Sequence, residues 1–261
     1  MLSTPTYVVS DLHLGIAPPE VEPRFLRFLE HVRATRGALV INGDLFDFWF
    51  EWRTVIPRGS FRVLAALARL REAGCPVQWV AGNHDCWGGV VLREDVGVDF
   101  VVGALRTELA GWRACVEHGD GLRVVEDRKY RRLRTVLRHP LSVRLFRLLH
   151  PDWGTRLATG SSHASRHHGA HDEGSGLRLI ALERLAADPT LDLVVFGHSH
   201  GVMLERAPGG GVYANAGSWL DAPTYLRLTP DVIELRRWDD SAEGERLDLL
   251  DRRPQEALTE P

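Results

Sequence analysis

The sequence predicts a mixed α/β fold: a parallel sheet from the first hundred or so residues, a second, largely antiparallel sheet packed on it, and a helical insertion. Three observations predict it. Short apolar runs alternate with helical periodicity in the first part of the chain, short strands separated by turns dominate the later part, and a block over 122–190 fits neither pattern. At 261 residues the chain is long enough for one large domain with a well-buried core.

Tyr7-Val8-Val9 reads as a buried strand, and Phe25, Phe28, Leu29 and Val32 then recur at helical spacing after Pro23. Ala38-Leu39-Val40-Ile41 is the next strand. A second helix follows Ser60, with Leu64, Leu67 and Leu70 inward and Gly74 as its stop signal. Val77-Gln78-Trp79-Val80 is a third strand, and connections of this length call for parallel pairing. The runs at 100–102, 105–109, 112–117, 191–196, 202–205, 211–213, 225–228 and 232–235 are the expected strands of the second sheet.

The insertion opens with two amphipathic stretches, Tyr130/Leu133/Val136/Leu137 and Leu141/Leu145/Leu148/Leu149, separated by His139-Pro140. Thr159 to Gly176 reads as a Ser/Gly/His-rich loop, in which His163, His167, His168 and His171 suit a flexible lid better than a metal site. A helix carrying Leu177, Ile180, Ala181 and Leu185 follows, stopped by Asp188-Pro189. The expected division is a core of 1–121 and 191–238, a helical insertion or lid of 122–190, and a tail of 239–261. That tail holds eight acids against three arginines and is expected to be flexible.

Composition narrows the function classes. Apolar residues make up 44% and charged residues 26%, which excludes a disordered or fibrous chain. A net charge of −3 argues against bulk nucleic-acid binding. No apolar stretch reaches the roughly 18 residues that span a bilayer, and the first residues lack the basic region of a signal peptide. Cys75, Cys86 and Cys115 are odd in number and widely spaced, which fits a reduced, cytoplasmic protein.

Five segments place metal-ligand residue types directly after strand-like runs: Asp11-Leu12-His13, Gly43-Asp44, Gly82-Asn83-His84-Asp85, His118-Gly119-Asp120 and Gly197-His198-Ser199-His200. Strand carboxyl ends are where ligand sites of α/β sheets gather. In Asp11-x-His13 and His198-x-His200, the period of two in extended chain would aim both side chains the same way. Taken singly, Asp44 fits an Asx turn, Asn83 a turn and His118 a hydrogen-bonded core histidine. Together, Asp11, His13, Asp44, Asn83, His118, His198 and His200 are too many for one tetrahedral ion and enough for two that share a carboxylate. Carboxylate, imidazole and amide donors suit manganese, iron or zinc, and paired ions roughly 3.5–4 Å apart clamp a phosphoryl group.

This motif series resembles the calcineurin-like metallophosphoesterase superfamily. The resemblance implies a two-sheet sandwich flanked by helices and a hydrolase with two divalent metal ions, manganese foremost. Asp11, His13, Asp44 and His200 would hold one ion, and Asp44, Asn83, His118 and His198 the other. His84 would contact the phosphate and assist the leaving group, with Asp85 orienting its ring. Ser10-Asp11-Leu12-His13-Leu14, the run Gly43-Asp44-Leu45-Phe46-Asp47-Phe48-Trp49 and His118-Gly119-Asp120 before an Arg-rich insertion are similar to the UDP-2,3-diacylglucosamine pyrophosphatase branch. That branch cleaves a lipid A precursor to UMP and an acylated sugar phosphate at the cytoplasmic membrane face. Its members carry Arg where this chain has His84, so the motif here is the general superfamily one.

Between Arg123 and His150 nine basic residues stand against two acids, interleaved with Leu, Val, Tyr and Phe. Such helices suit an anionic membrane surface or an acyl-chain chamber, or else pack on the core with a solvated arginine face. Asp127 and Tyr130 fall near substrate-facing positions of the lipid branch. Trp49, Phe50 and Trp52 would wall the cleft or cover the core edge, and Asp47 would hold a ligand in place. The expected partner is a nucleotide-lipid, with nucleic acid disfavoured. A phosphoesterase acting on a soluble or nucleic-acid substrate is the alternative, and a scaffold without catalysis fits poorly because no ligand position is missing. Zinc proteolysis has no HExxH to support it.

Overall fold

A computed structural model describes residues 5–166 and 174–252. The chain begins with strand β1 (Thr6–Val9), helix α1 (Val21–Ala34) and strand β2 (Ala38–Asn42), then helix α2 (Phe61–Glu72) and β3 (Val77–Val80). A short π-helical turn over Val91–Asp95 leads to β4 (Asp99–Val101). Strands β5 (Leu105–Leu109) and β6 (Trp112–Val116) form a hairpin. Helices α3 (Arg128–Leu137), α4 (Pro140–Arg147), α5 (Pro151–Arg166) and α6 (Ser175–Ala187) follow. The rest is β7 (Leu193–Phe196), β8 (Val202–Arg206), β9 (Val212–Ala216), β10 (Thr224–Leu228), β11 (Val232–Arg237) and β12 (Glu245–Asp251).

These strands make two sheets, of order β12-β11-β10-β1-β2-β3-β4 and β5-β6-β7-β9-β8. Alternation along each strand sorts the core into layers. Tyr7, Val9, Leu39 and Ile41 face α1 and α2, while Val8, Val40, Val116, Val195 and Ala214 fill the space between the sheets. On the far side, Val194, Phe196 and Tyr213 pack under Leu177, Ala181 and Leu185 of α6. The architecture is therefore helix, sheet, sheet, helix, the mixed two-sheet fold read from the sequence.

Several local expectations differ. The second sheet is mixed, because β6, β7 and β9 run parallel and only the outer pairs β5–β6 and β8–β9 are antiparallel. The long excursion through α3 to α6 supplies the crossover that a parallel β6–β7 pair needs. Strand β4, expected in the second sheet, is the parallel edge of the first, and β10 and β11 return to that sheet antiparallel. Helix α6 belongs to the core by its buried face.

The tail was expected to be flexible from its charge, yet Glu245–Asp251 is an edge strand paired along β11. Its Leu250 packs against the core between the sheets, and charges on the open side suit an edge strand. Before it, Arg27 makes a bidentate pair with Asp240 at 2.9 Å. Residues 159–166, expected as loop, continue α5, and Thr159 folds its hydroxyl onto the Thr155 carbonyl at 2.9 Å. His167, His168 and His171 lie outside the described residues, as does the side chain of His163.

Candidate metal centre

All five motif segments meet where β1, β2, β3, β6 and β7 end. The loops are tied to one another by main-chain bonds: Asp11 N to Gly43 O at 3.1 Å, His13 N to Asp44 O at 2.9 Å, and Gly197 N to His118 O at 2.9 Å. Asp11, His13, Asp44, His198 and His200 all have left-handed backbones, with φ between 47° and 62°. This corrects the extended geometry expected for Asp11-x-His13 and His198-x-His200. The side chains converge because the backbone kinks at these five positions. Strain of about 1–3 kcal/mol per such residue is held by the surrounding bonds.

Close approach requires glycine at two points. A Cβ at Gly82 would collide with the Asp44 carboxylate, and one at Gly43 with the His118 ring.

The donor atoms face inward. His13 Nε2 lies 3.4 Å from His200 Nε2 and 3.8 Å from Asp44 Oδ2. His200 Nε2 is 3.6 Å from Asp11 Oδ1, and His118 Nε2 is 3.2 Å from Asp44 Oδ2. Ligand atoms of Asp11, His13 and His200 lie within 4.8 Å of one another, as do those of Asp11, Asp44 and His118 and those of His13, Asp44 and His84. Both carboxylates thus stand between groups. His198 is outside these close-set groups, with its ring edge-on to His118 at 5.3 Å and its main-chain N–H donating to Asp11 Oδ2 at 3.0 Å. The Asn83 side-chain oxygen is buried nearby without a hydrogen bond.

These residues fit a pair of cations. Asp11 Oδ1 is fully buried and accepts no hydrogen bond, an arrangement that costs free energy unless a cation answers it. Imidazole nitrogens 3.4 Å apart aim lone pairs at common space. His118 donates from Nδ1 to the Asn42 carbonyl at 2.9 Å, which frees Nε2 as a donor atom to metal.

The electrostatics agree. Burial holds His13 neutral, with its pKa lowered to about 4, and lowers His198 as well. His118 is raised well above the usual imidazole range, because Asp44 and Asp11 outweigh its burial. Although burial opposes it, the His118 and His84 charges hold Asp44 well below the usual carboxylate range.

One expectation about the outer residues changes. Asp85 does not touch the His84 ring; it is buried and accepts from Gly82 N, Leu45 N and Trp79 Nε1 at 2.7, 2.9 and 3.2 Å. It braces the loops instead, because its oxygens are used up by main-chain and indole donors. The His84 ring is held by Asp47, whose main-chain oxygen lies 2.7 Å from Nδ1. Asp127 pairs with Arg123 at 2.8 Å, and the Tyr130 hydroxyl donates to Asp120 at 2.7 Å, so neither side chain faces the metal groups. Trp49 packs into the core, whereas Phe48 and Trp52 line a cavity of about 1440 Å³ that also reaches Leu14, Phe46 and Asp47.

Some supporting residues had only a weak sequence signal. Asn42, the last residue of β2, holds His118 through its carbonyl. Ser10 donates to Asp11 Oδ2, and Ser218 donates to the Asp11 main-chain oxygen at 2.9 Å. Ser10 and Asn42 directly precede motif residues, which is a usable clue; Ser218 is remote in sequence and gives none.

The chain is similar to several known proteins. The family model for calcineurin-like phosphoesterases matches residues 4–202. A Porphyromonas gingivalis protein called UDP-2,3-diacylglucosamine hydrolase is 34% identical over 74% of this chain and 82% of its own length. A Nitrosococcus oceani protein of the same name is 29% identical over 87% of this chain and 92% of that protein. A solved dimetal phosphatase from Danio rerio aligns over 97% of this chain and all of its own, at 12% identity and a TM-score of 0.48.

Proposed function

The chain belongs to the calcineurin-like phosphoesterase family and is a metal-dependent hydrolase; on that premise we propose that it cleaves the pyrophosphate of UDP-2,3-diacylglucosamine, giving UMP and an acylated sugar phosphate. The observation that carries the substrate is the large cavity beside the candidate metal centre. It begins at Asp47 and Leu14 and runs beneath Leu145, Leu148 and Leu149 of the insertion, with Arg53, Arg58, Arg144, Arg147 and Arg156 also on its walls. Apolar wall next to arginine suits a molecule that is part acyl chain and part phosphate. The names of the similar proteins support the same reading.

Asp11, His13, Asp44 and His200 would hold one divalent ion and Asp44, Asn83, His118 and His198 the other, manganese fitting this oxygen and nitrogen set. When bound, such a pair supplies an activated water and neutralises phosphate charge. The protein does the rest. Asp47 orients His84 so that Nε2 faces Asp44 at 3.9 Å, the side from which a phosphate oxygen is met. There His84 holds a proton for the leaving oxygen, and Asp85 keeps the Gly82 and Leu45 loops in register.

The substrate reaches this cleft from a membrane. Leu133, Val136, Leu141, Trp153 and Leu157 are exposed apolar residues on α3 to α5 that lie outside the cavity wall, set among arginines, which suits peripheral contact with an anionic bilayer at the inner face. Among the described residues no helix is long and apolar enough to cross a membrane.

One assay tests the proposal: turnover with Mn²⁺ on UDP-2,3-diacylglucosamine beside simple phosphodiesters. Strong preference for the lipid nucleotide is the expected result. Equal or better cleavage of small phosphodiesters would replace it with a phosphoesterase of soluble substrates.

A further inference from the structure

Helix α3 has no buried residue, so burial of an apolar face is not what seats it on the core. Its contacts there are polar and concentrate on one carboxylate. Asp120 is buried and accepts from the Tyr130 hydroxyl at 2.7 Å. The guanidiniums of Arg134 and Arg138 stand 3.4 and 3.2 Å from the same carboxylate oxygen. Arg134 also donates to the Asp120 main-chain oxygen at 2.9 Å. At the end of the helix the Trp87 indole donates to the Leu137 carbonyl at 3.2 Å, and Arg138 lies 3.5 Å from the Gly82 carbonyl. One helix therefore bridges the loop that carries His118 and the loop that carries Asn83 and His84.

We propose that Asp120 is a positioning residue, a latch that seats α3 on both of those loops and so sets how the insertion lies over the substrate cleft. A carboxylate bonded to two guanidiniums and a phenol forms charge-assisted bonds, the strong kind. Removing its charge leaves Arg134 and Arg138 only the main-chain oxygens of Asp120 and Gly82, neutral acceptors that hold a guanidinium more weakly, so the helix loosens. The latch also occupies the Tyr130 hydroxyl, which makes Tyr130 part of the seat. The consequence for substrate binding rests on the cleft reading above; the seating of the helix does not.

Hydrogen exchange on the full chain tests the latch from both sides, with Asp120→Asn and with Arg138→Gln on the helix. Amides of 128–138 should lose protection by about tenfold or more, as expected when a bond to a charged group is lost. Strands β1, β2 and β7 should keep theirs. KM for UDP-2,3-diacylglucosamine should rise about tenfold while kcat changes less than about threefold, the pattern of lost substrate placement. Unchanged protection over 128–138 in both variants would overturn the proposal. A collapse of kcat at constant KM would also overturn it, by assigning Asp120 to the reacting centre. If the chain failed to cleave the lipid nucleotide at all, the exchange result would still decide the latch, and only the substrate reading would fall.

Discussion

The ring nitrogen Nδ1 of His84 lies 2.7 Å from the main-chain oxygen of Asp47. A carbonyl can only accept, so Nδ1 carries a proton of its own and Nε2, facing Asp44, is the atom left to take up and deliver the proton for the leaving oxygen. His84→Ala should leave the metal content at its wild-type value and slow the chemical step by about 10²–10⁴, the span of general acid–base help. Metal analysis beside single-turnover rates checks this. Loss of an ion in the variant would make His84 a ligand, a role its place beside His13 and Asp44 allows on distance alone.

Gly82→Ala isolates the space requirement. A methyl there would meet both the Asp44 carboxylate and, at 2.7 Å, the Asp44 main-chain nitrogen. The variant should unfold at a lower temperature than the parent, because main chain as well as side chain must shift, and bind Mn²⁺ at least about tenfold more weakly, since a displaced bridging carboxylate weakens both sites. Calorimetric titration measures it. Tight metal binding by the variant would show that Asp44 can move without harm and does not bridge.

The five convergent segments were legible because their Asp, Asn and His residues stand close together in short runs at strand ends, a local pattern. Tyr7, Phe25 and Leu67 were equally plain, since one periodicity governs both their burial and their spacing. What failed were long-range facts. The choice of sheet for β4 and β10 depends on which edge remains open, and nothing in Phe100 or Tyr225 encodes that. The strand at 245–251 was hidden by its charges, because an edge strand and a disordered tail share a composition. Asp85 was misread for a different reason: a carboxylate next to His84 in sequence points away from it in a tight turn, toward Gly82 N and Leu45 N.

Metal binding should release a proton. In the metal-free protein His118 is raised well above the usual imidazole range by Asp44 and Asp11 and is charged at neutral pH. His13, lowered to about 4, is already neutral there and releases nothing. A ligand must be deprotonated, so affinity should rise with pH by about tenfold per unit while His118 remains charged. Burial and the Asp44 charge raise Asp85 to about 7, so a titration at pH 8 keeps its contribution small. Mn²⁺ titrations in buffers of different ionisation heat should report about one proton per chain, and none in His118→Gln. Zero release in the parent would mean that His118 is neutral before metal arrives.

The acyl chains supply the last prediction. All four leucines are exposed, but Leu145, Leu148 and Leu149 line the cavity, whereas Leu141 lies outside its wall. The two sets should therefore separate in function. Each buried CH₂ contributes about 0.8 kcal/mol, so the enzyme should prefer the diacylated UDP-sugar over its unacylated counterpart by several powers of ten in kcat/KM. Leu145→Gln with Leu149→Gln should reduce that preference by about tenfold or more, since acyl chains covering these leucines would bury apolar area worth roughly 25 cal/mol per Å². Leu141→Gln should leave the preference nearly intact and weaken binding to anionic vesicles. That binding should fall between 0.05 and 0.5 M salt, as screening shortens to less than about 10 Å. If acylated and unacylated substrates were cleaved equally, the cavity would hold something other than acyl chains. If Leu141→Gln lost selectivity and kept vesicle binding, the assignment of the two faces would be reversed.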